Sequence, residues 1–181
     1  MTSTLDVIIN DPLKFLKAFP VKIGTVGASR VEEHVTYGQK RQASGPPVLF
    51  FFNGPTQYDD QAKVEFCRAH IVKAVRGPAE FYTLTDDCSF MITTELSGCC
   101  VVLDRTAATP RIAHVWPGQG EDGAVIQDQL AGLHASCKLY GKRNYVEPYS
   151  YVIGVNRGGW RFFAQERPGG RGIRQASEIL L

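Results

Sequence analysis

No apolar run in these 181 residues exceeds the five of Val48-Leu49-Phe50-Phe51-Phe52, far below the ~20 that a membrane-spanning helix needs. An excess of one charge is missing as well. Lys and Arg number 20 against 18 Asp and Glu, a formal net charge of +2, so nothing demands a nucleic acid or an anionic membrane as partner. There is no C-x-x-C, and His34, His70, His114 and His134 show no zinc-ligand spacing. Five cysteines at irregular intervals (Cys67, Cys88, Cys99, Cys100, Cys137) do not form a disulfide framework. The reading is therefore free thiols in a reducing environment. Met1-Thr2-Ser3-Thr4-Leu5-Asp6 has no basic n-region, so no Sec-type signal is expected. No internal repeat is found either.

What is present is ordinary globular material, with 44% hydrophobic and 21% charged residues. A chain of this length buries about 70% of its unfolded surface and needs no staple. Asp11 as N-cap and Pro12 in the first turn start a short helix that Pro20 ends. Val21–Val26 is a strand candidate, Gln39–Pro47 reads as a loop, and Val48–Phe52 reads as a buried strand. Asp59–Arg76 has the clearest helical pattern: Val64, Cys67, Ile71 and Val75 share one face, with acids early and bases late. On that stripe Cys67 is core.

From Phe81 the texture changes to short strands over Phe81–Leu84, Ser89–Thr94, Cys99–Asp104 and Arg111–Trp116. A helix over Gly123–Leu133 follows, then strands Tyr149–Val155 and Trp160–Gln165 joined by Asn156-Arg157-Gly158-Gly159, a hairpin signal. Arg167–Gly172 reads as a flexible segment and Ile173–Leu181 as a docked helical turn. Consecutive strands with flanking helices imply an α+β fold, a mixed β-sheet sandwich flanked by helices, in a single domain over residues 1–181.

The stretch that carries chemistry is Glu95-Leu96-Ser97-Gly98-Cys99-Cys100-Val101-Val102-Leu103-Asp104. The Ser97-Gly98 turn feeds a strand that begins with a thiol, beside backbone N–H groups suited to an oxyanion. Cys99 and His114 are 15 residues apart. Strands joined by a turn over Arg105–Pro110 would lie antiparallel, bringing His114 within reach of Cys99 as its base. A neighbouring imidazole would then lower the thiol pKa. The plainer reading makes His114 a satisfied core histidine, alternating with Ile112 and Trp116, and Cys99 a small packed hydrophobe. Cys100 should point to the opposite strand face and be core. Cys88 and Cys137 read as structural.

Leu96-Ser97-Gly98-Cys99 followed by His114 resembles the signature of the bacterial glutamine-deamidase toxins. That group holds the catalytic domain of cytotoxic necrotizing factor and the stand-alone Burkholderia lethal factor. Chemoreceptor deamidases carry a related motif with Gly and Ser exchanged, so the order here favours the toxin branch. The resemblance covers roughly Thr93 to Trp116. It implies that Cys99 is the nucleophile and His114 the base, with a main-chain carbonyl at Thr93, or equally Thr94, orienting the imidazole. Ser97 and Gly98 would shape the turn and the oxyanion site. The chain would then be one deamidase-like catalytic domain that converts a glutamine of a host protein to glutamate without metal or organic cofactor.

The target implied first is the RNA helicase of eukaryotic translation initiation, and second a Rho-family GTPase; the catalytic alternatives are a chemoreceptor deamidase or another Cys-His enzyme such as a peptidase. The protein would be monomeric, exported without a Sec-type signal, and active in the host cytosol with no nucleic acid or membrane partner. Gly118–Gly123, Asn53–Asp60 and Asn156–Gly159 are the loops expected to set specificity. A non-catalytic alternative rests on Arg157, Arg161, Arg167, Arg171 and Arg174 with Trp160, Phe162 and Phe163, a basic and aromatic pattern open to nucleic acid. Trp160 and Phe162 are more simply a strand's core face.

Overall fold

The computed structural model describes residues 4–23, 34–40, 48–53, 64–169, 173 and 175–179, with the backbone alone for 4–5, 22, 34–40, 48–53 and 64–68. Helices α1 (Thr4–Asn10) and α2 (Pro12–Ala18) open the chain, and the Asp11 side chain caps α2 by accepting from Lys14 N at 3.2 Å. Strands β1 (Val21–Ile23), β2 (His34–Lys40), β3 (Val48–Asn53), β4 (Val64–Val72), β5 (Val75–Arg76) and β6 (Tyr82–Thr83) follow. Then come β7 (Phe90–Thr93), β8 (Cys100–Asp104), β9 (Arg111–Trp116), α3 (Gly123–Leu133) and β10 (Lys138–Tyr140). Strands β11 (Tyr149–Asn156), β12 (Trp160–Arg167) and β13 (Gln175–Ile179) close the described part.

The strands form two mixed sheets. One has eight strands in the order β1-β3-β2-β4-β7-β11-β12-β13; the other has five, with β10-β8-β9-β5 in a row and β6 on β9. The α+β sandwich flanked by helices is the architecture observed. Strand alternation explains the layering. Ala69, Ile71, Phe90, Ile92, Tyr151, Ile153 and Phe163 face α1 and α2, whereas Val72, Met91, Val152, Phe162 and Ala164 face the second sheet. On the second sheet Val101, Leu103 and Ile112 look inward, and Cys100, Val102, Ala113 and Val115 look out toward α3. Trp160 and Phe162 lie in this inter-sheet core, as a strand's core face requires. Of the basic side chains near them, Arg161 pairs with Glu178 and Arg167 Nη1 donates to Val21 O.

Three assignments from the sequence are overturned. Asp59–Arg76 is not a helix: its described part forms β4 and β5, and residues 59–63 lie outside the described residues. β4 runs between β2 and β7, buried on both faces where its side chains are described, so it has apolar residues on both sides. Such a strand has no period-2 signature, and its apolar residues can fall by chance on a helical stripe. Ile173–Leu181 likewise gives β13, which pairs antiparallel with β12 instead of forming a helical turn. Gln39 and Lys40, read as loop, belong to β2. α1, β2 and β10 had no signal that the sequence reading used. The Cys67 side chain, Arg171, Arg174 and the loop segment 54–60 lie outside the described residues.

One buried amide ties the N-terminal helices to the sheet. Gln165 on β12 is fully buried; its Nε2 donates to Leu16 O at 2.7 Å and Phe19 O at 2.9 Å, and its Oε1 accepts from Val21 N at 2.7 Å. The last carbonyls of α2, which have no helical partner, and the first amide of β1 are satisfied by this one side chain. Gln165→Leu should therefore strand three backbone groups at about 1–3 kcal/mol each. We expect a loss of roughly 3 kcal/mol or more in urea unfolding; a loss below about 1 kcal/mol would show that α2 does not depend on this clamp.

Candidate active site

β8 and β9 are antiparallel, with Cys100 opposite Val115, Val101 opposite His114 and Asp104 opposite Arg111. The turn between them is pinned by Asp104. Thr106 donates to it through hydroxyl and backbone N–H, at 2.6 and 2.9 Å, and Arg111 pairs with it. The Thr106 hydrogen bonds, more than the Arg111 charge, hold the Asp104 carboxyl down at about 2.

Cys99 immediately precedes β8. Alternation puts it on the face of Val101 and Leu103, in the inter-sheet core, and puts Cys100 on the other face beneath α3. His114 stands opposite Val101, so Cys99 and His114 share a face as diagonal cross-strand neighbours. Such diagonals lie about 7–8 Å apart at Cα, with the side chains closer. No hydrogen bond joins the two, and the buried Nε2 of His114 has no partner at all.

The other ring nitrogen is held. His114 Nδ1 lies 3.3 Å from Val72 O and 3.3 Å from Thr94 Oγ1. A carbonyl can only accept, so Nδ1 carries the proton and Nε2 has the free lone pair, the tautomer a general base needs. The same carbonyl accepts from Thr94 N at 3.0 Å, and Thr94 Oγ1 accepts from Ala74 N at 3.2 Å. The carbonyl expected at Thr93 or Thr94 is thus Val72's. Thr93 is fully buried and its hydroxyl instead accepts from Val152 N at 3.0 Å, while Thr94 contributes a hydroxyl. The physical reason is register: Val72 pairs with Thr93 across the parallel β4–β7 pair, and it is the end of β4 that meets the ring.

The turn before the thiol is fixed from three sides. Gly98 has φ +116°, a conformation that side chains resist. Its N–H donates to the Tyr145 hydroxyl at 2.7 Å. α3 begins against it: a Cβ on Gly123 would sit 2.1 Å from Gly98 O, so only glycine fits there. The loop carrying Tyr145 is itself bound to α3. Gln127 Nε2 donates to Asn144 Oδ1 at 2.6 Å, and Gln127 Oε1 accepts from Arg143 N at 2.8 Å. No sequence signal pointed to Tyr145 or Gln127, because their partners are brought near only by the fold. Val72 was hidden by the helical reading of its strand.

Burial dominates the electrostatics. It pushes the Cys99 thiol above its ordinary value; the Ser97 and Cys99 backbone N–H groups oppose this, and the Glu95 carboxylate adds to it. Burial pushes Cys100 to about 12 with no such N–H relief. Burial also drives His114 down to about 4, against the Val72 hydrogen bond. The expectation of an imidazole-lowered thiol pKa is therefore corrected: the resting pair is a neutral thiol and a neutral imidazole. Beyond this pair the fold brings together His70, Asp87 and Cys88, which sequence spacing did not connect; one ligand atom from each lies within 4.8 Å of the others.

No family model matches the chain, and no curated protein matches it.

The depressed His114 value carries a stability consequence. An unfolded histidine takes its proton near 6.5, but the folded one holds off until about 4. Between those values the unfolded state binds more protons, so stability falls as pH drops from about 6.5 and stops falling on this account below about 4. The shift is worth about 3 kcal/mol. We expect His114→Asn to show a shallower stability loss than wild type over that window in urea titrations. Parallel curves would show that His114 is not buried in its neutral form.

Proposed function

We propose that the protein is a cysteine-dependent protein-glutamine deamidase, with Cys99 as nucleophile and His114 as base. The observation that carries this reading is the shared face of Cys99 and His114, with Nδ1 occupied by the Val72 carbonyl and Nε2 left as an unpartnered lone pair. The resemblance of Leu96-Ser97-Gly98-Cys99 and His114 to the glutamine-deamidase toxins supplies the reaction class.

With both groups neutral at rest, the thiol proton passes to His114 Nε2 as the sulfur attacks the glutamine carboxamide carbon. The negative charge moves to the carboxamide oxygen. The Ser97 and Cys99 N–H groups, which favour the thiolate against burial, are the groups to share that charge. The Gly98 N–H is committed to Tyr145. The carbon–nitrogen bond breaks, His114 returns its proton to the departing ammonia, and a thioester remains. Water then attacks the thioester carbon and gives a proton to Nε2. The carbon–sulfur bond breaks, the sulfur recovers that proton, and glutamate is released. An amine in place of water would give transglutamination at the same site.

Cys99 is only 4% exposed, so a substrate must reach it at the Ser97–Gly98 turn. Beside that turn Trp116, extrapolated in register opposite Cys99, is 48% exposed. It borders a groove of about 510 Å³ lined by Arg76, Glu121, Ile126 and Leu133 among others. Glu121 comes from the Gly118–Gly123 loop expected to set specificity, and we assign that groove the role of docking the target protein. The Asn156–Gly159 turn instead lies by Asp86 and Cys88. By resemblance, the target is the translation-initiation RNA helicase, with a Rho-family GTPase second, met in a host cytosol.

The test is mass spectrometry of eukaryotic lysate incubated with the protein. Wild type should convert one specific glutamine to glutamate, a gain of about 1 Da from the exchange of NH₂ for OH, with release of ammonia. Cys99→Ser should lose about 10³-fold or more in rate, and His114→Ala about 10²–10⁴-fold, while the double variant should lose little beyond the worse single one. The acid limb of kcat/KM should fall near the His114 value of about 4 and not near 6.5. Modification that persists in Cys99→Ser would end the deamidase reading.

A further inference from the structure

The turn that leads into β7 passes the inner end of β4, and there His70, Asp87 and Cys88 converge. His70 and Cys88 are 0% and 1% exposed, while Asp87 is on the surface. The parallel pairing of His70 with Met91, three residues after Cys88, sets the approach of the two elements. Asn156 then holds the turn from β11: its N–H donates to Ser89 O at 3.0 Å, and its Nδ2 donates to Asp86 Oδ1 at 3.2 Å and Cys88 O at 3.5 Å. One ligand atom from each of the three side chains lies within 4.8 Å of the other two. Tetrahedral zinc with sulfur, nitrogen and oxygen ligands needs donor separations of about 3.3–3.6 Å. Binding therefore requires a closure of up to roughly 1 Å, and Asp87, the exposed member of the three, has room to move.

We propose that His70 Nε2, Cys88 Sγ and an Asp87 carboxylate oxygen form a binding site for a borderline-soft divalent cation, Zn²⁺ in the first place. The donor set argues for that ion class. A thiolate with an imidazole selects zinc or cobalt over magnesium or calcium, which take oxygen ligands. The surroundings argue for a built site. The Tyr82 hydroxyl lies 3.1 Å from His70 Nδ1, the outer partner that orients a metal-binding imidazole. The Thr85 hydroxyl lies 3.3 Å from His70 Nε2 and donates to Asp87 Oδ1 at 2.5 Å. It therefore bridges two of the atoms that the cation would bridge in its place. The Trp160 ring, 6.1 Å from that of His70, walls the inner side.

The proton balance is simple. The Cys88 thiol gives one proton to solvent on binding, and His70 and the Asp87 carboxylate bind through lone pairs that carry no proton. Three protein ligands leave a fourth position for water or another ligand. This inference does not rest on the deamidase reading, since neither Cys99 nor His114 takes part.

The experiment uses the full chain, reduced and stripped of metal, titrated with Co²⁺ and then Zn²⁺ alone. One Co²⁺ per chain should bind with a thiolate-to-cobalt charge-transfer band and strong tetrahedral d–d bands, both removed by stoichiometric Zn²⁺. Cys88→Ser should abolish the charge-transfer band, whereas Cys99→Ser should retain it. Because Cys88 is buried and its variant could misfold, Asp87→Asn serves as a second test. It changes an exposed side chain, should fold as wild type by circular dichroism, and should weaken Zn²⁺ about tenfold or more. Absence of the charge-transfer band, its loss in Cys99→Ser, or unchanged affinity in a folded Asp87→Asn would each overturn the proposal.

Discussion

The arrangement depends on one carbonyl. Val72 is the last residue of β4 in the eight-stranded sheet, and three residues later Val75 begins β5 in the five-stranded sheet. At that crossing the Val72 carbonyl accepts from both Thr94 N and His114 Nδ1, so one oxygen joins the end of β7, the middle of β9 and the chain passing between the sheets. Thr94 Oγ1 completes the junction by accepting from Ala74 N. A buried polar group must find partners, and here each satisfies another. The imidazole is thus oriented by the same bonds that let a strand change sheets.

The thiol is positioned by a different part of the molecule. Gly98, Tyr145, Gly123 and Gln127 connect the turn before Cys99 to α3 and to the loop after β10. Cys99 and His114 therefore belong to two separate supports that meet across the β8–β9 pair. This division suits a neutral resting pair. Burial keeps both groups uncharged, so no ion pair is needed to hold them. The backbone N–H groups at Ser97 and Cys99 distinguish this thiol from Cys100, which is equally buried but lacks them.

The residues of the thiol strand were legible because their signals are local. Arg111–Trp116 and Gly123–Leu133 appear with the bounds expected from alternation and from helical spacing, and Ser97-Gly98 forms the expected turn with Gly98 at positive φ. β4 was not legible. It is a central strand covered on both faces, and Val64, Cys67, Ile71 and Val75 imitate a helical stripe. That one misreading hid the orienting carbonyl of Val72 and the neighbourhood of His70. Tyr145, Gln127 and Gln165 were out of reach for another reason: each acts on backbone groups distant in sequence, and such bonds leave no spacing to find. The assignment of Thr93 was a matter of one strand, since Thr93 is the register partner of the residue whose carbonyl is used.

Cys99 and Cys100 are adjacent in sequence but face opposite sides of one sheet, the first toward the inter-sheet core and the second toward α3. A disulfide requires Cβ atoms about 3.5–4.5 Å apart with their bonds converging, and neighbours in a strand that is paired on both sides diverge. The second thiol therefore cannot serve as a resolving cysteine for the first. If peroxide converts Cys99 to a sulfenic acid, its repair falls to some thiol other than the neighbouring one. Two thiols adjacent in sequence thus have no direct redox exchange with each other.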